Sequence, residues 1–319
     1  MSVFEPFEAF GDLEEFTERL RDPDPSVRRL AAIELGETAS PEAVALLAEA
    51  ITDASPDVRR QAALALGDFD GRAVAEALAI GLQDADREAA IAAADSLAEL
   101  KDPDAAPPLL PLVAHEDAFV RAGALRGLKA LRSPDAFGPA VTALRDPAPE
   151  ARVQAVGVIA YLKQAEALPS LIAAAKDGAP EVREAAINAL AFSRHGNAAD
   201  AVSSALGDPD WRVRAAAAET LGRIGLGEAA ATLTEALRDA FWQVRQKALQ
   251  SLGKLRERSA APAVIPLLDE ELPILRKEAA ATLGEIGDGS ARAALEGRAD
   301  DPDPDVRKTV RWALDRLAA

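Results

Sequence analysis

Apolar positions along the chain recur at helical spacing, and the helices they imply recur at a longer one. Ala43, Val44, Leu47 and Ile51 fall on one stripe at intervals of one, three and four residues, which predicts an amphipathic helix. A short polar turn, TDASPD, follows, and Val58, Ala62, Leu66 and Phe69 then mark the buried face of a second helix. Counting from Asp22 in steps of 31 lands on Asp53, Asp84, His115, Asp146, Asp177, Asp208, Asp239, Glu270 and Asp301. Six residues after each comes Arg (Arg28, Arg59, Arg121, Arg152, Arg183, Arg214, Arg245, Arg276, Arg307), with Ala90 the exception. Ala nine residues on and Leu thirteen on are almost as regular. No insertion breaks this register over 319 residues, which is the signature of a solenoid.

The turns and helix starts carry their own chemistry. Two residues after the motif start stand Asp24, Ser55, Asp86, Asp117, Asp210 and Asp303, and one residue later Pro25, Pro56, Pro149, Pro180, Pro273 and Pro304. An oxygen-bearing N-cap followed by Pro at the first helical position is the expected start of the second helix. The recurring Ala lets neighbouring second helices approach closely, and Gly36, Gly67, Gly222, Gly253 and Gly284 serve the same close packing despite the helix penalty of Gly. The motif Asp is expected beside backbone N–H groups and an Arg of its own or the next turn. A ladder of such charge-assisted bonds would set the spacing between repeats.

Composition then removes several classes of function. There is no Cys, so disulfides, thiolate nucleophiles and Cys-based metal sites are excluded. A formal charge of −17 argues against binding to a phosphate backbone, which needs clustered Lys and Arg. No segment approaches the roughly 18–20 apolar residues of a membrane span. The start, MSVFEPFEAFGDLEEF, is acidic and lacks the positive charge that opens a signal peptide, so the expected address is the cytoplasm.

Segments such as DPDPSVRRLAAIELG, DASPDVRRQAALALG and DPDWRVRAAAAETLG resemble the HEAT-like repeats of the phycobilisome-lyase type. The resemblance covers essentially the whole chain. It implies an all-α fold, a right-handed α-α superhelix of about ten 31-residue helix pairs. The chain is expected to form one solenoid over residues 1–319, with a cap segment at 1–11 and ten pairs from about 12 to 317. Phe4, Phe7, Phe10 and Phe16 are expected to cover the hydrophobic flank of the first repeat.

The resemblance also implies where a ligand would bind. The inner helices line a concave groove, with surface positions 3, 4, 7, 8, 11 and 15 residues after the motif start. In repeats one to three these hold a mixed polar set: Arg29, Asp57, Arg60, Asp68, Asp95 and Glu99. In repeats four to eight they hold Phe119, Tyr161, Phe192, Trp211 and Trp242, with Arg126, Arg212, Arg223, Gln243, Gln246, Lys247, Gln250 and Lys254 among them. The chain is only 4% aromatic, so five aromatics there are a concentration, and Trp and Arg are typical binding anchors. Trp211 and Trp242 also replace the usual Pro one repeat apart. The alternative role for Trp211, Trp242 and Phe241 is packing across the turns between repeats. The cations have an alternative too, pairing with Glu181, Glu184 and Glu219.

The expected function is a protein-binding scaffold without catalytic residues of its own, its partner unnamed by the sequence. A second reading, carried by the resemblance alone, is a bilin lyase subunit or cofactor chaperone holding a tetrapyrrole with the same aromatics and Arg. A remote third is a HEAT-like DNA glycosylase, against which the net charge stands. No cofactor, metal or catalytic residue is called for. His115 and His195 have no partner nearby in sequence, and the paired His-Glu motifs of HEAT-like iron hydroxylases are missing.

Overall fold

The computed structural model describes residues 13–38, 40–192, 196–225 and 229–318. Phe4, Phe7, Phe10 and His195 lie outside the described residues. The chain divides into two compact units, Met1–Leu162 and Lys163–Ala319. Among the described residues every regular element is helical, and no helix is long and apolar enough to cross a membrane.

In the first unit the second helices of the pairs are α2 (Pro25–Glu37), α4 (Pro56–Leu66), α6 (Arg87–Leu97), α7 (Ala118–Leu131) and α9 (Pro149–Leu162). Before them come α1 (Leu13–Arg19), α3 (Ala43–Ala50), α5 (Arg72–Gly81) and α8 (Phe137–Ala143). The first element of the fourth pair is instead two 3-10 turns, Pro103–Ala105 and Pro111–Ala114. In the second unit the first helices are α10 (Leu168–Ala174), α12 (Gly196–Ser204), α14 (Ala230–Ala236), α16 (Ala261–Val264) and α18 (Arg292–Glu296). The second helices there are α11 (Pro180–Ala189), α13 (Trp211–Ile224), α15 (Trp242–Leu255), α17 (Pro273–Ile286) and α19 (Pro304–Ala318). All ten second helices therefore start three residues after a motif position, as the sequence register requires.

Within each unit neighbouring second helices lie side by side, whereas successive first helices touch far less. The core is aliphatic and small-residue. Ala31, Ala62, Ala93 and Ala124 in the first unit, and Ala186, Ala217, Ala248 and Ala279 in the second, are fully buried one above the next. Leu35, Leu66, Leu97 and Leu128, with Leu190, Leu221, Leu252 and Leu283, fill the next layer. Phe16 packs against the first pair and is buried, while Phe69 is only half-buried.

Two sets of polar bonds hold this stack in register. In the first, six motif Arg side chains reach forward to the Asp of the following repeat, 25 residues on. Arg28 Nε and Nη2 donate to Asp53 Oδ2 and Oδ1 at 2.7 and 2.8 Å, and its Nη1 donates to the Asp22 carbonyl at 2.8 Å. Asp53 also accepts from the Ser55 N–H at 2.7 Å, so one carboxylate both closes its own turn and ties it to the repeat before. The same arrangement recurs as Arg59–Asp84, Arg121–Asp146, Arg183–Asp208, Arg214–Asp239 and Arg276–Asp301. The Arg thus binds its own turn and the next repeat's carboxylate together. Arg245 meets the longer Glu270 by one bond of 3.4 Å, and its Nε is buried without a partner.

In the second set, buried hydroxyls bond to the preceding second helix. Ser96 Oγ donates to the Ala63 carbonyl at 2.8 Å, Ser251 Oγ to Ala218 at 2.7 Å, and Thr282 Oγ1 to Leu249 at 3.0 Å. Opposite these residues sit the glycines of the repeat before. A Cβ at Gly222 would lie 2.4 Å from Ser251 Oγ and 2.9 Å from its Cα; at Gly67 it would lie 2.8 Å from Ser96 Oγ. Gly253 is different, since its Cβ would stand 3.5 Å from Thr282 Cα, an ordinary contact.

These contacts set two expectations. Gly222→Ala should lower stability by about 1–3 kcal/mol, because neither helix can retreat without breaking the Ser251 bond. Gly253→Ala should raise it by up to about 1 kcal/mol through helix propensity. Urea unfolding of both variants checks the contrast. The second concerns acid. Arg121 holds the Asp146 carboxyl below its ordinary value of 3.8, and Arg276 does the same for Asp301. At Asp53, Asp84, Asp208 and Asp239 burial pushes upward, but the Arg and turn N–H bonds pull the carboxyl below its ordinary value. A depressed folded-state value means that the stabilisation is complete above about pH 5, once the unfolded carboxyl is fully ionised, and drains as the pH falls toward and through the folded value. Urea midpoints should therefore be flat from about pH 6 to 5 and fall below about pH 4, and less steeply in Asp146→Asn.

Candidate functional site

The candidate residues divide between the two units. Phe119, Arg126 and Tyr161 belong to the first, and the other ten to the second. Those of the first unit are engaged locally. Arg87 lies over the Phe119 ring at 3.6 Å, Arg126 pairs with Asp95 at 2.6 Å, and Arg132 lies over the exposed Tyr161 ring at 4.9 Å. In the second unit Phe192 is the most exposed large apolar side chain, 68% accessible, with Lys163 Nζ 5.0 Å from its ring.

The candidate cations on α13 and α15 are mostly paired within the protein. Arg212 is held by Asp210 at 2.8 Å, and this guanidinium keeps the Asp210 carboxyl down at about 2. Lys247 and Arg223 share Glu219 at 2.7 and 2.6 Å, and the Lys247 bond first, then Arg223, lowers that carboxyl. Pairing with Glu219 thus occurs, whereas Glu181 and Glu184 make no ion pair. Gln250 donates to Glu278 at 3.0 Å, Gln246 is half-buried, and Gln243 Oε1 is buried without a partner. Lys254 is exposed and makes no ion pair. It lines a surface cavity of about 360 Å³ with Gln250, Gly253, Glu278, Thr282 and Glu285.

Trp211, Phe241 and Trp242 at the starts of α13 and α15, with the aliphatic Leu272 and Ile274 at the start of α17, line up as a ridge from repeat to repeat. Trp211 stacks on Phe241 of the next turn with ring centroids 5.7 Å apart and planes 12° from parallel. Trp242 follows Phe241, and Leu272 and Ile274 occupy the corresponding turn one repeat later. Phe241, Trp242, Leu272 and Ile274 are each 36–43% accessible. Packing across the turn and exposure therefore coexist: Trp211 stacks on Phe241, the Arg214 guanidinium lies 5.6 Å from the same ring, and Phe241 is still 43% accessible.

The ridge displaces helix caps. Asp24, Asp86, Asp117 and Asp210 each accept a hydrogen bond from the first turn of the helix that they precede. At α15 and α17 the N-cap residues are Phe241 and Leu272, with no side-chain acceptor. An apolar N-cap forgoes about 1 kcal/mol relative to Asp or Ser. Two neighbouring helices give that up and expose a large apolar side chain in its place. Leu272 and Ile274 escape a search for aromatics. The signal that finds Leu272 is a large apolar residue in place of the oxygen-bearing one two positions after the motif start, where Ala148 and Ala179 are merely small, and Ile274 follows it by two residues.

Leu272→Asp should keep stability within about 1 kcal/mol of the parent, the new cap offsetting lost apolar burial. A thermal melt of the variant checks this.

Among the described residues no cluster of His, Asp or Glu could hold a metal ion. The family profile for HEAT repeats matches residues 13–88, 75–139, 139–202, 193–240 and 230–315. No curated protein matches the chain. Among solved structures, an engineered protein aligns over 97% of this chain and 99% of its own at 21% identity, with a TM-score of 0.53. Kap95p, whose binding induces the switch loops of RanGDP to adopt the GTP-bound conformation, aligns over 95% of this chain at 14% identity and TM-score 0.65. Kap95 in its complex with Nup1 aligns over 95% of this chain at 15% identity and TM-score 0.64. The chain spans about half the length of Kap95, covering 49% and 50% of it in the two structures. At these identities the likeness is one of fold.

Proposed function

Because the chain belongs to the HEAT-repeat family, we propose that it is a protein-binding scaffold whose second unit docks a partner segment on the ridge of Trp211, Phe241, Trp242, Leu272 and Ile274. The observation that carries this reading is the exchange of two helix caps for exposed apolar side chains on adjacent repeats. Ala179 at the start of α11 also lacks a side-chain cap, but Phe241 and Leu272 put a large, exposed apolar side chain at that position. The partner segment presents apolar side chains to the ridge, because Arg212 beside Trp211 and Lys247 on α15 already spend their charge on Asp210 and Glu219. Lys254, exposed and unpaired on α15, supplies the free positive charge for a carboxylate at one end of the segment. The same fold carries protein partners in the Kap95 structures with RanGDP and Nup1, which supports the scaffold role.

The test is affinity capture with the parent protein and the Trp211→Ala/Trp242→Ala variant, both verified as folded by circular dichroism. Removing two hot-spot aromatics typically costs about 2–4 kcal/mol of binding, so the variant should lose the proteins that the parent retains. Equal retention by both would sink the proposed ridge.

A further inference from the structure

We propose that the junction between the third and fourth pairs is a hinge built into the first unit. Every other repeat boundary described above in this unit carries an Arg–Asp rung. At this one both ends of the rung are replaced together: Ala90 stands where the Arg belongs, and His115, 25 residues on, stands where the Asp belongs. The replacement is selective. His115 Nδ1 accepts the Asp117 N–H at 3.0 Å, so the turn keeps the local bond that Asp makes elsewhere and drops only the link to the preceding repeat.

Exposed contacts hold the junction instead. Arg87 covers the Phe119 ring and comes within 3.8 Å of Asp117, with 58% and 51% of those two charged side chains accessible. Arg126 reaches back to Asp95, and these side chains are 42% and 55% accessible. By contrast the Arg59–Asp84 and Arg121–Asp146 side chains on either side are at most 18% accessible. Opening a buried rung strands two charges away from water, whereas opening these surface contacts returns each group to solvent. Bending therefore concentrates where the rung is missing.

The packing at the boundary is suited to movement. Of neighbouring second helices in this unit, α6 and α7 touch least. Beneath the surface contacts the packing across the boundary is apolar and non-directional, with Leu97 of α6 against Gly127 of α7 and Leu82, at the end of α5, against Gly123. The chain between them has Pro107, Pro108 and Pro111 where the other pairs have an α-helix, and it is held by three-residue turns such as Leu109 N–H to Ala106 at 3.0 Å.

The protein has no Cys, so spin labels can be placed in pairs on the full chain. Ala45→Cys/Gly138→Cys spans the junction, and a side chain at Gly138 meets open space. Asp200→Cys/Ala293→Cys spans the same three repeats of sequence, 93 residues, in the second unit (138 − 45 and 293 − 200). The distance distribution of the first pair should be roughly twice as wide as that of the second. Equal widths in the parent protein overturn the hinge without any further variant. Ala90→Arg/His115→Asp, which installs the rung, should narrow the first distribution to the width of the second. An unchanged width in a variant whose melting temperature has risen also overturns it. Where that variant fails to fold, Arg87→Ala/Arg126→Ala takes its place and should broaden the distribution; no broadening counts against the hinge.

Discussion

A guanidinium bound to two repeats at once is the interaction on which the rest of the structure depends. Arg28 bonds the carbonyls of its own turn and, by a two-point contact, the carboxylate of the following turn, and five further motif Arg side chains repeat the arrangement. That carboxylate is committed in turn to a backbone N–H two residues on. The geometry leaves no slack for an extra residue, which is why the sequence holds a 31-residue step without insertion. The effect of one added methylene is visible at Glu270, where the two-point contact shrinks to a single long bond and Arg245 Nε goes unpaired.

With the spacing set by charge, the layer beneath it can be built from very small residues. Buried Ala columns bring the second helices so close that a hydroxyl on one reaches a carbonyl on the previous one. The glycines opposite make room for that approach. Polar rungs and glycine notches are thus two halves of one arrangement. It also accounts for the low aromatic content, since large side chains have no place between layers and are left for the turns and the surface.

Much of this was legible because it is said ten times. The Asp, the Arg, the Pro at the helix start and the Ala and Leu of the core could each be read from their period, and the helices begin where the register puts them. What periodicity does not encode is distance. Gly222 and Gly253 are the same letter at the same position, yet one is pressed against Ser251 and the other has ordinary space. Trp211 and Trp242 stood out as replacements for Pro. Leu272 and Ile274 did not, because an aliphatic residue looks unremarkable until the helix that it precedes is seen to lack a cap. Arg212 with Asp210 and Arg223 with Glu219 are pairs within one repeat, the second at helical i,i+4 spacing, whereas the bond of Lys247 to Glu219 joins neighbouring repeats and depends on where the two helices face each other.

The forward reach of 25 residues has a consequence for how such a chain can change. A gene for it can gain or lose whole repeats by unequal exchange and still present every Arg with an Asp, because any motif Arg finds an acceptor in whatever repeat comes next. The stretch from Ala90 to His115 is the exception. An exchange whose breakpoint falls between them would deliver an Arg to a His, or an Asp to an Ala, and leave a charge stranded between layers. A change at either position therefore calls for a matching change at the other, although 25 residues separate them and no salt bridge joins them.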